Sequence, residues 1–415
     1  MTHASMQLPV LPADLKLTNR FQVISPFLSG QAHSATEISE EIGLSRQTVM
    51  KSIQFFLNKG ILSSAGKGVS TNVGGKRPEL FNLSKDRFFL CITLWPQEAR
   101  LSLYTIGGKL LDQLSLIESL PADPRLAVDT ACERAKALLR KNSIPPENVK
   151  AVSLYTAGVI DYQTVRLRYS SLSPEWGTDV PLGDYLRPHF VPGTMIFLEN
   201  AGKMTARPFL LEPELAGKRI LVLFCCWGLS GCLIEKDHIL SGKNSLIGEF
   251  GHMIIDPDDP EQCGCGSHGC FERQVSQSRV QTILRREAPN YPGSPLCQVP
   301  TDQVTIPRVF AASAAGDGLG LCLSQGLARV FARALRNIAL VFDPDLVVFQ
   351  GDYATADPSF DRALRQELAS FQYFPEGGAF DIRYDRRPLA EMDSLGSYIA
   401  LSRAYFGNPA LYEGD

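Results

Sequence analysis

The spacing of apolar positions changes near residue 85, and this change divides the chain into two parts. Before it, apolar residues recur every three or four positions, which predicts helices over 19–29, between Ser34 and Gly43, and between Ser45 and Gly60. After it, short apolar runs alternate with longer helical patterns, which predicts an α/β body. A body of about 330 residues exceeds one core, so we expect two lobes with a cleft between them.

Two of the early helices have the signals of a helix-turn-helix. Ser34 and Glu37 match a capping box, Gly43 ends that helix, and Ser45 caps the next one. Two apolar segments then flank a loop over 66–78, which predicts the two-stranded wing of a winged helix. An unrelated small helical domain, or a winged helix that contacts protein, remains the alternative to DNA binding.

The second helix and the wing supply side chains that suit DNA. Arginine pairs with guanine, glutamine with adenine, and lysine or serine with phosphate. The predicted DNA-binding residues are Ser45, Arg46, Gln47, Thr48 and Lys51 on the helix, and Lys76 and Arg77 on the wing. One winged helix reads few bases, so we expect a homodimer or a dimer of dimers on a two-fold related operator.

Charge and composition support this division. Residues 1–85 hold nine lysines and arginines against five acids, whereas the whole chain has a net charge of −3. A basic head on an acidic body favours a polyanionic partner for the head. The sequence lacks a secretory signal and an apolar run of membrane-spanning length, which favours a cytoplasmic protein with no membrane association.

Three of the ten cysteines lie within eight residues and suggest a metal site. Cys263, Cys265 and Cys270, with an imidazole, suit tetrahedral Zn²⁺, and four protein ligands make such an ion structural. His252 is the favoured fourth ligand, while His268 inside the loop is the alternative. Three reduced cysteines without a metal are the other interpretation.

The body resembles the ROK family, named for repressors, open reading frames and sugar kinases. The matching pieces are Gly248-Glu249-Phe250-Gly251-His252 and Cys263-x-Cys-Gly-x-x-Gly-Cys-x-Glu272. Gly74-Gly75-Lys76-Arg77-Pro78 is similar to the Gly-Gly-Arg-Arg-Pro of the family's repressors. The resemblance covers about residues 18–407.

The resemblance implies a fold and a sugar site. The fold is a winged helix-turn-helix over 1–85 and an actin-like, hexokinase-type body. Its first lobe spans 86–198 and is joined by a helix at about 393–415, and its second lobe spans 199–392 and holds the zinc loop. The sugar-binding residues would be Asn200, Glu249, His252 and Glu272. His252 would contact zinc with one nitrogen and sugar with the other.

Departures from the family pattern argue against catalysis. The kinases' first phosphate loop is Asp-x-Gly-Gly-Thr, whereas this chain has Thr93-Leu94-Trp95-Pro96-Gln97-Glu98, without a glycine. The second loop reads Cys226-Trp227-Gly228-Leu229-Ser230. The kinases' Asn-Asp pair reads Asn200-Ala201, and alanine cannot act as the general base. No catalytic residue is therefore predicted.

These observations predict a DNA-binding regulator, a repressor of carbohydrate-utilisation genes, that responds to a monosaccharide or a derivative of one. The alternatives are a sugar kinase with a fused DNA-binding head, and a regulator that senses a protein partner. Ala201 and the altered phosphate loops argue against the kinase. The sugar-responsive regulator and the partner-sensing regulator differ in one property: whether Asn200, Glu249 and Glu272 still bind a sugar without the missing carboxylate.

Overall fold

The computed structural model describes residues 15–68, 77–95, 98–116, 121–375 and 378–414. These residues form a small head and a mixed α/β body whose two lobes each contain a five-stranded sheet. None of the helices in these ranges is long and apolar enough to cross a membrane.

Within the described residues, the head has three α-helices and a three-stranded sheet of order β1-β3-β2. Its elements are α1 (Leu15–Ile24), β1 (His33–Ser34), α2 (Ala35–Ile42), α3 (Arg46–Asn58), β2 (Leu62–Lys67) and β3 (Glu79–Leu83). Strands β2 and β3 are antiparallel and form the predicted wing.

The helix boundaries of the head follow from local capping. Ser34 accepts a hydrogen bond from the backbone N–H of Glu37, whose carboxylate accepts one from the N–H of Ser34, so the capping box is present. Gly43 closes α2 at φ 70°, a conformation that favours glycine. The single helix predicted over 19–29 is wrong in one respect: α1 ends at Ile24, and Ser25–Ser29 form a 3₁₀ helix with Pro26 in its first turn.

The first lobe contains the sheet β6-β5-β4-β7-β10. Its elements are β4 (Phe88–Trp95), β5 (Glu98–Thr105), β6 (Leu110–Leu116), α4 (Pro124–Lys141), β7 (Val149–Thr156), β8 (Val159–Asp161), β9 (Arg166–Tyr169), α5 (Leu182–Leu186) and β10 (Met195–Asn200). The three strands β4, β7 and β10 are parallel neighbours. Every residue of β4 is buried, as expected for a strand covered on both faces.

The second lobe contains the sheet β13-β12-β11-β14-β15. Its elements are α6 (Ala201–Met204), β11 (Ile220–Cys225), β12 (Leu229–Glu235), β13 (His238–Ile239), α7 (Phe271–Val275), α8 (Gln277–Glu287), α9 (Ile306–Ala314), α10 (Gly318–Phe342), β14 (Leu346–Gly351), α11 (Pro358–Ala369) and β15 (Asp381–Tyr384). The next helix, α12 (Leu389–Phe406), packs on the first-lobe strands β4 and β7. The main core of the second lobe packs α9, α10 and α11 on one face of the sheet.

The two sheets have the same topology. In each, the first strand is central, two antiparallel strands follow on one side, and two parallel strands lie on the other. The ends of β4, β10 and β11 bring Trp95, Asn200 and Phe224 to one cavity between the lobes. Ligands in α/β folds bind at the carboxyl ends of strands, so this edge is where a site is expected. The predicted fold class is therefore confirmed.

Helix α12 joins the parts of the molecule. Its Ser394 hydroxyl contacts the hydroxyl of Tyr104 in the first lobe, and Gly396 packs against the carbonyl of Met204 in α6. After α12, a 3₁₀ helix over Pro409–Tyr412 inserts into the head, where Tyr412 is buried. Head and body consequently share one hydrophobic cluster.

Candidate functional site

Helix α3 presents three of the predicted DNA-binding side chains to solvent. Arg46, Gln47 and Lys51 are exposed. Val49 and Ile53 lie on the opposite face and are fully buried. The buried side fixes the helix on the head, so the polar side is free to face a partner.

Ser45 and Thr48 have local roles at the start of α3. The Ser45 hydroxyl accepts a hydrogen bond from the N–H of Thr48 and lies 2.9 Å from the Thr48 hydroxyl. This is the N-cap that the sequence predicts, and it satisfies one of the free N–H groups at the helix end.

The described part of the wing is basic and exposed. Lys67 ends β2 and Arg77 immediately precedes Pro78, and both side chains are exposed. Lys76 lies outside the described residues. The described part of the wing thus carries two exposed cations, Lys67 and Arg77.

One cavity of about 250 Å³ brings together all four predicted sugar-binding residues, Asn200, Glu249, His252 and Glu272. They come from three separate segments: the end of β10, the turn over 249–252, and the start of α7. Convergent polar groups in a cleft between lobes are typical of a small-molecule site.

The Asn200 side chain is held in place by three hydrogen bonds. Its Nδ2 donates to the carbonyl of Gly158 at 2.7 Å, and its Oδ1 accepts from the N–H groups of Gly202 and Lys203. It therefore caps α6 and ties the two lobes together, a structural role in addition to lining the cavity.

The Glu272 carboxylate is fixed by the turn that follows β11. Its Oε2 accepts a hydrogen bond of 2.7 Å from the N–H of Leu229. A Cβ at Gly228 would lie 2.7 Å from the same oxygen, so a larger residue there would displace the carboxylate. The other carboxylate oxygen, Oε1, has no hydrogen-bond partner among the described residues.

Burial raises the pKa of Glu249, and the nearby charges of His252 and Lys203 oppose that shift. Lys203 is 2% exposed, and its ammonium has no hydrogen-bond partner in the part of the chain that the structure describes. It was not singled out from the sequence, although a lysine directly after Asn200-Ala201-Gly202 stands beside a predicted site.

A second cluster lies against the cavity. Ligand atoms of His252, Cys263, Cys265 and Cys270 all lie within 4.8 Å of one another, so this group could hold a metal ion. Nδ1 of His252 is 3.6 Å from Sγ of Cys263, and Sγ of Cys265 is 3.6 Å from Sγ of Cys270. His252 belongs to the group, as predicted, and the alternative His268 does not.

Backbone contacts bring these thiols together. Ile254 pairs with Cys270, and the N–H of Ile255 donates to the carbonyl of Gly269. Gly269 has φ 70°, and a Cβ there would lie 1.9 Å from the carbonyl oxygen of Asp256, so this glycine is obligatory. A donor set of three thiols and one imidazole suits a tetrahedral divalent ion.

The segment that carries the thiols, residues 263–270, also contacts the opposite lobe. The hydroxyl of Tyr169, at the end of β9, donates a hydrogen bond of 2.5 Å to the carbonyl of Gly264. Tyr169 lines the cavity as well. The cavity is therefore closed on this side by a link that the sequence did not reveal, because it joins residues 95 positions apart.

A final arrangement that the sequence did not reveal joins the head to the end of the chain. Arg20 in α1 donates hydrogen bonds to the carbonyls of Tyr412 and Gly414, at 2.6 and 2.7 Å. Lys59, after α3, donates to the carbonyls of Leu411 and Glu413. Helix α3, which bears the exposed Arg46, Gln47 and Lys51, is thus attached to the segment that follows α12.

The fold and the site together define a winged-helix head joined to a two-lobed, actin-like body with a polar cavity and a cluster able to bind metal. The chain belongs to the ROK family, whose profile matches residues 133–381.

Known proteins resemble different lengths of this chain. The xylose repressor of Bacillus spizizenii is 22% identical over 374 residues, which cover 89% of this chain and 91% of the repressor. The glucokinase of Thermotoga maritima is 26% identical over 232 residues, 54% of this chain and 71% of that enzyme. A solved ROK family transcriptional regulator, described as a homolog of the Escherichia coli MLC protein, superposes with a TM-score of 0.74 at 18% identity and covers 96% of this chain and 100% of its own.

Proposed function

We propose that this protein is a sequence-specific DNA-binding transcriptional regulator, a repressor of carbohydrate-utilisation genes, whose body binds a sugar without phosphorylating it. The observation that carries the proposal is the direct packing of a winged-helix head on a body whose cavity unites Asn200, Glu249, His252 and Glu272. The xylose repressor aligns with nearly the whole chain, whereas the glucokinase aligns with about half of it, which supports a regulator.

The head would bind duplex DNA through α3 and the wing. Arg46 and Gln47 would contact base edges in the major groove, and Lys51 would contact phosphate. Ser45 and Thr48, already engaged at the helix cap, would contact the backbone close to the helix N-terminus. Lys76 and Arg77 would reach phosphates or the minor groove.

The body would bind the hydroxyl groups of a sugar through the polar end of the cavity. Carboxylates such as Glu249 and Glu272 accept hydrogen bonds from vicinal hydroxyls, and a histidine nitrogen or an asparagine amide completes the set. Nε2 of His252 would serve the sugar, because its Nδ1 lies on the thiol side.

Two features support binding without catalysis. Ala201 is fully buried and has no group that could take a proton from a sugar hydroxyl. Trp95 and Trp227 lie with ring centroids 4.9 Å apart at the two segments that resemble altered phosphate loops. The similarity to a glucokinase favours a sugar kinase as the second candidate.

The cluster of His252, Cys263, Cys265 and Cys270 would hold a structural Zn²⁺. The ion would fix the loop and the orientation of the His252 ring. With four protein ligands it would have no open position for substrate.

Regulation would depend on a homodimer, or a dimer of dimers, whose two heads bind the halves of an operator. We take the head as residues 1–85, the first lobe as 86–198 joined by helix α12, which spans Leu389–Phe406 rather than the predicted 393–415, and the second lobe as the residues from 199 up to that helix. Sugar binding between the lobes would change the spacing of the heads if the conformations that differ in head spacing also differ in their affinity for sugar.

The test combines DNA selection, calorimetry and an ATP assay on the purified protein. We expect enrichment of a two-fold related sequence from random duplexes, saturable binding of at least one monosaccharide, and release of the selected DNA by that sugar. Glu249→Ala should abolish sugar binding, and the exposed Glu147→Ala should not.

Two outcomes would overturn this function. Sugar-dependent ATP hydrolysis would favour the kinase. Selective DNA binding without affinity for any carbohydrate would favour a regulator that senses a protein partner.

A further inference from the structure

The cavity has an aromatic wall beside its polar end. Trp95 ends β4, Phe224 lies in β11, and Trp227 lies in the turn after β11, and all three line the cavity. The ring centroids of Trp95 lie 5.4 Å from Phe224 and 4.9 Å from Trp227. The wall is thus built from both lobes, and Trp227 remains partly exposed.

The aromatic wall is continuous with the polar end. Glu272 accepts a hydrogen bond from Leu229, two residues after Trp227, and its carboxylate touches the position of a Cβ on Gly228. A ring held by Glu272 would therefore have Trp227 as its neighbour along the cavity.

The chemistry of this wall does not suit phosphate. Phosphate loops bind through bare backbone N–H groups and positive charge, whereas this wall consists of indole and phenyl faces. Flat aromatic faces bind the apolar C–H face of a pyranose or another aromatic ring. The Trp95 indole N–H is buried and has no acceptor within the described residues.

We propose that the cavity binds a glycoside with two rings rather than a lone monosaccharide. The first ring occupies the polar end at Glu249, His252 and Glu272, and the second ring, the pyranose of a disaccharide or an aryl aglycone, packs on the partly exposed Trp227, which the buried Trp95 supports from behind. The inference rests on the proposed sugar-binding function and specifies its ligand class. A single pyranose at the polar end would leave the partly exposed face of Trp227 uncovered.

The tryptophan content allows a direct test. The chain has three tryptophans, and Trp176 is buried in the core of the first lobe. The variant Trp176→Phe therefore keeps only the two cavity indoles, whose emission reports on the aromatic wall. In this background, calorimetry compares glucose, xylose and N-acetylglucosamine with their disaccharides and phenyl glycosides.

We expect at least one two-ring ligand to bind about fivefold to tenfold more tightly than its parent monosaccharide and to change the tryptophan emission. Trp227→Ala should reduce that ratio to about one while the parent sugar still binds, and Trp227→Phe should keep most of it. Tyr373→Ala, which removes an exposed aromatic ring elsewhere, is the matched control and should keep the ratio. The disaccharide and phenyl series separate the two kinds of second ring.

Other results have distinct meanings. Equal affinity for parent sugars and glycosides, or an equal loss of both in Trp227→Ala, would overturn the two-ring site and leave the wall a packing contact between lobes. Binding of monosaccharides with exclusion of every glycoside would overturn it while the proposed function stands. Failure of all carbohydrates to bind would overturn both.

Discussion

Nε2 of His252 lies 4.0 Å from Oε2 of Glu249, while Nδ1 of the same ring lies 3.6 Å from Sγ of Cys263. One imidazole thus stands between the thiol cluster and the cavity. A metal bound at Nδ1 would fix the ring and the direction of its second nitrogen. The two sites are therefore expected to respond to each other.

Metal removal should weaken sugar binding as well as stability. Cys265→Ser should lower zinc from about one ion per chain to near zero, reduce the free energy of unfolding, and weaken carbohydrate binding by about tenfold or more. Elemental analysis, denaturation and calorimetry measure the three effects. Cys322→Ser, a thiol outside the cluster, is the control. A metal-free preparation that folds and binds sugar fully would contradict the zinc site.

We expect the α3 side chains to determine which DNA sequence is bound and the wing side chains to contribute affinity that does not depend on sequence. Arg46→Ala or Gln47→Ala should cost about 1–3 kcal/mol and relax specificity at one or two base pairs. Joint replacement of Lys76 and Arg77 by alanine should weaken binding to most sequences and flatten its salt dependence. Lys85→Ala serves as the control. Wild-type binding by the wing variant at every salt concentration would exclude the wing from the interface.

The attachment of the head to the chain end should depend more on Arg20 than on Lys59. Arg20 is 5% exposed and bonds two carbonyls, so Arg20→Met should destabilise this contact by about 1.5–3 kcal/mol. Lys59 is exposed, and Lys59→Met should cost less than about 1 kcal/mol. Hydrogen exchange in α1 and in residues 407–414 measures both. Equal effects would show that burial does not determine this contact.

Stability should depend on pH through Asp393 in α12. Burial raises its pKa from 3.8 to about 6, although Arg100, with Nη1 2.5 Å from Oδ2, opposes the shift. Because the pKa of Asp393 is higher in the folded state, folding takes up a proton at this carboxyl. The stabilisation that this protonation provides is complete below about pH 3.8 and is lost as the pH rises to about 6. We therefore compare the unfolding free energies of wild type and Asp393→Asn. The wild-type value minus the variant value should fall between about pH 3.8 and pH 6 and stay level at higher pH.

Denaturation at stepped pH gives this difference, in which effects common to both proteins cancel. The exposed Asp302→Asn is the control, and its difference from wild type should stay level. A difference that rises with pH would show that the ion pair with Arg100 outweighs burial.

Local signals made the head predictable. Ser34, Glu37, Gly43 and Ser45 act within a few residues of each other, so their pattern determines helix ends without tertiary context. Pro26 was harder to interpret, because a proline can kink a helix or end it. The choice of a 3₁₀ segment depends on packing around Phe27, which is fully buried.

The candidate site was predictable where residues lie close in sequence. The spacing of the thiols over 263–270 indicates a metal site, whereas the turn that ends at His252 was predicted as part of the sugar site from the resemblance to the ROK family. The contacts of Tyr169 with Gly264 and of Arg20 with Tyr412 were not predictable, because they join distant residues through backbone carbonyls, which any residue type provides. Lys203 was missed because burial of its ammonium is not visible from one sequence.

The contact between Arg20 and Tyr412 has a consequence during synthesis. These residues are 392 positions apart, so at about 5–20 residues per second a new chain waits roughly 20–80 s between making the first and the second. Until then the buried surface of the head, including Phe21 and Phe56, lacks the ring of Tyr412. A nascent chain therefore emerges with an apolar face uncovered on its earliest folded part, where chaperones would bind, and its head docks only after nearly all of the body has been made.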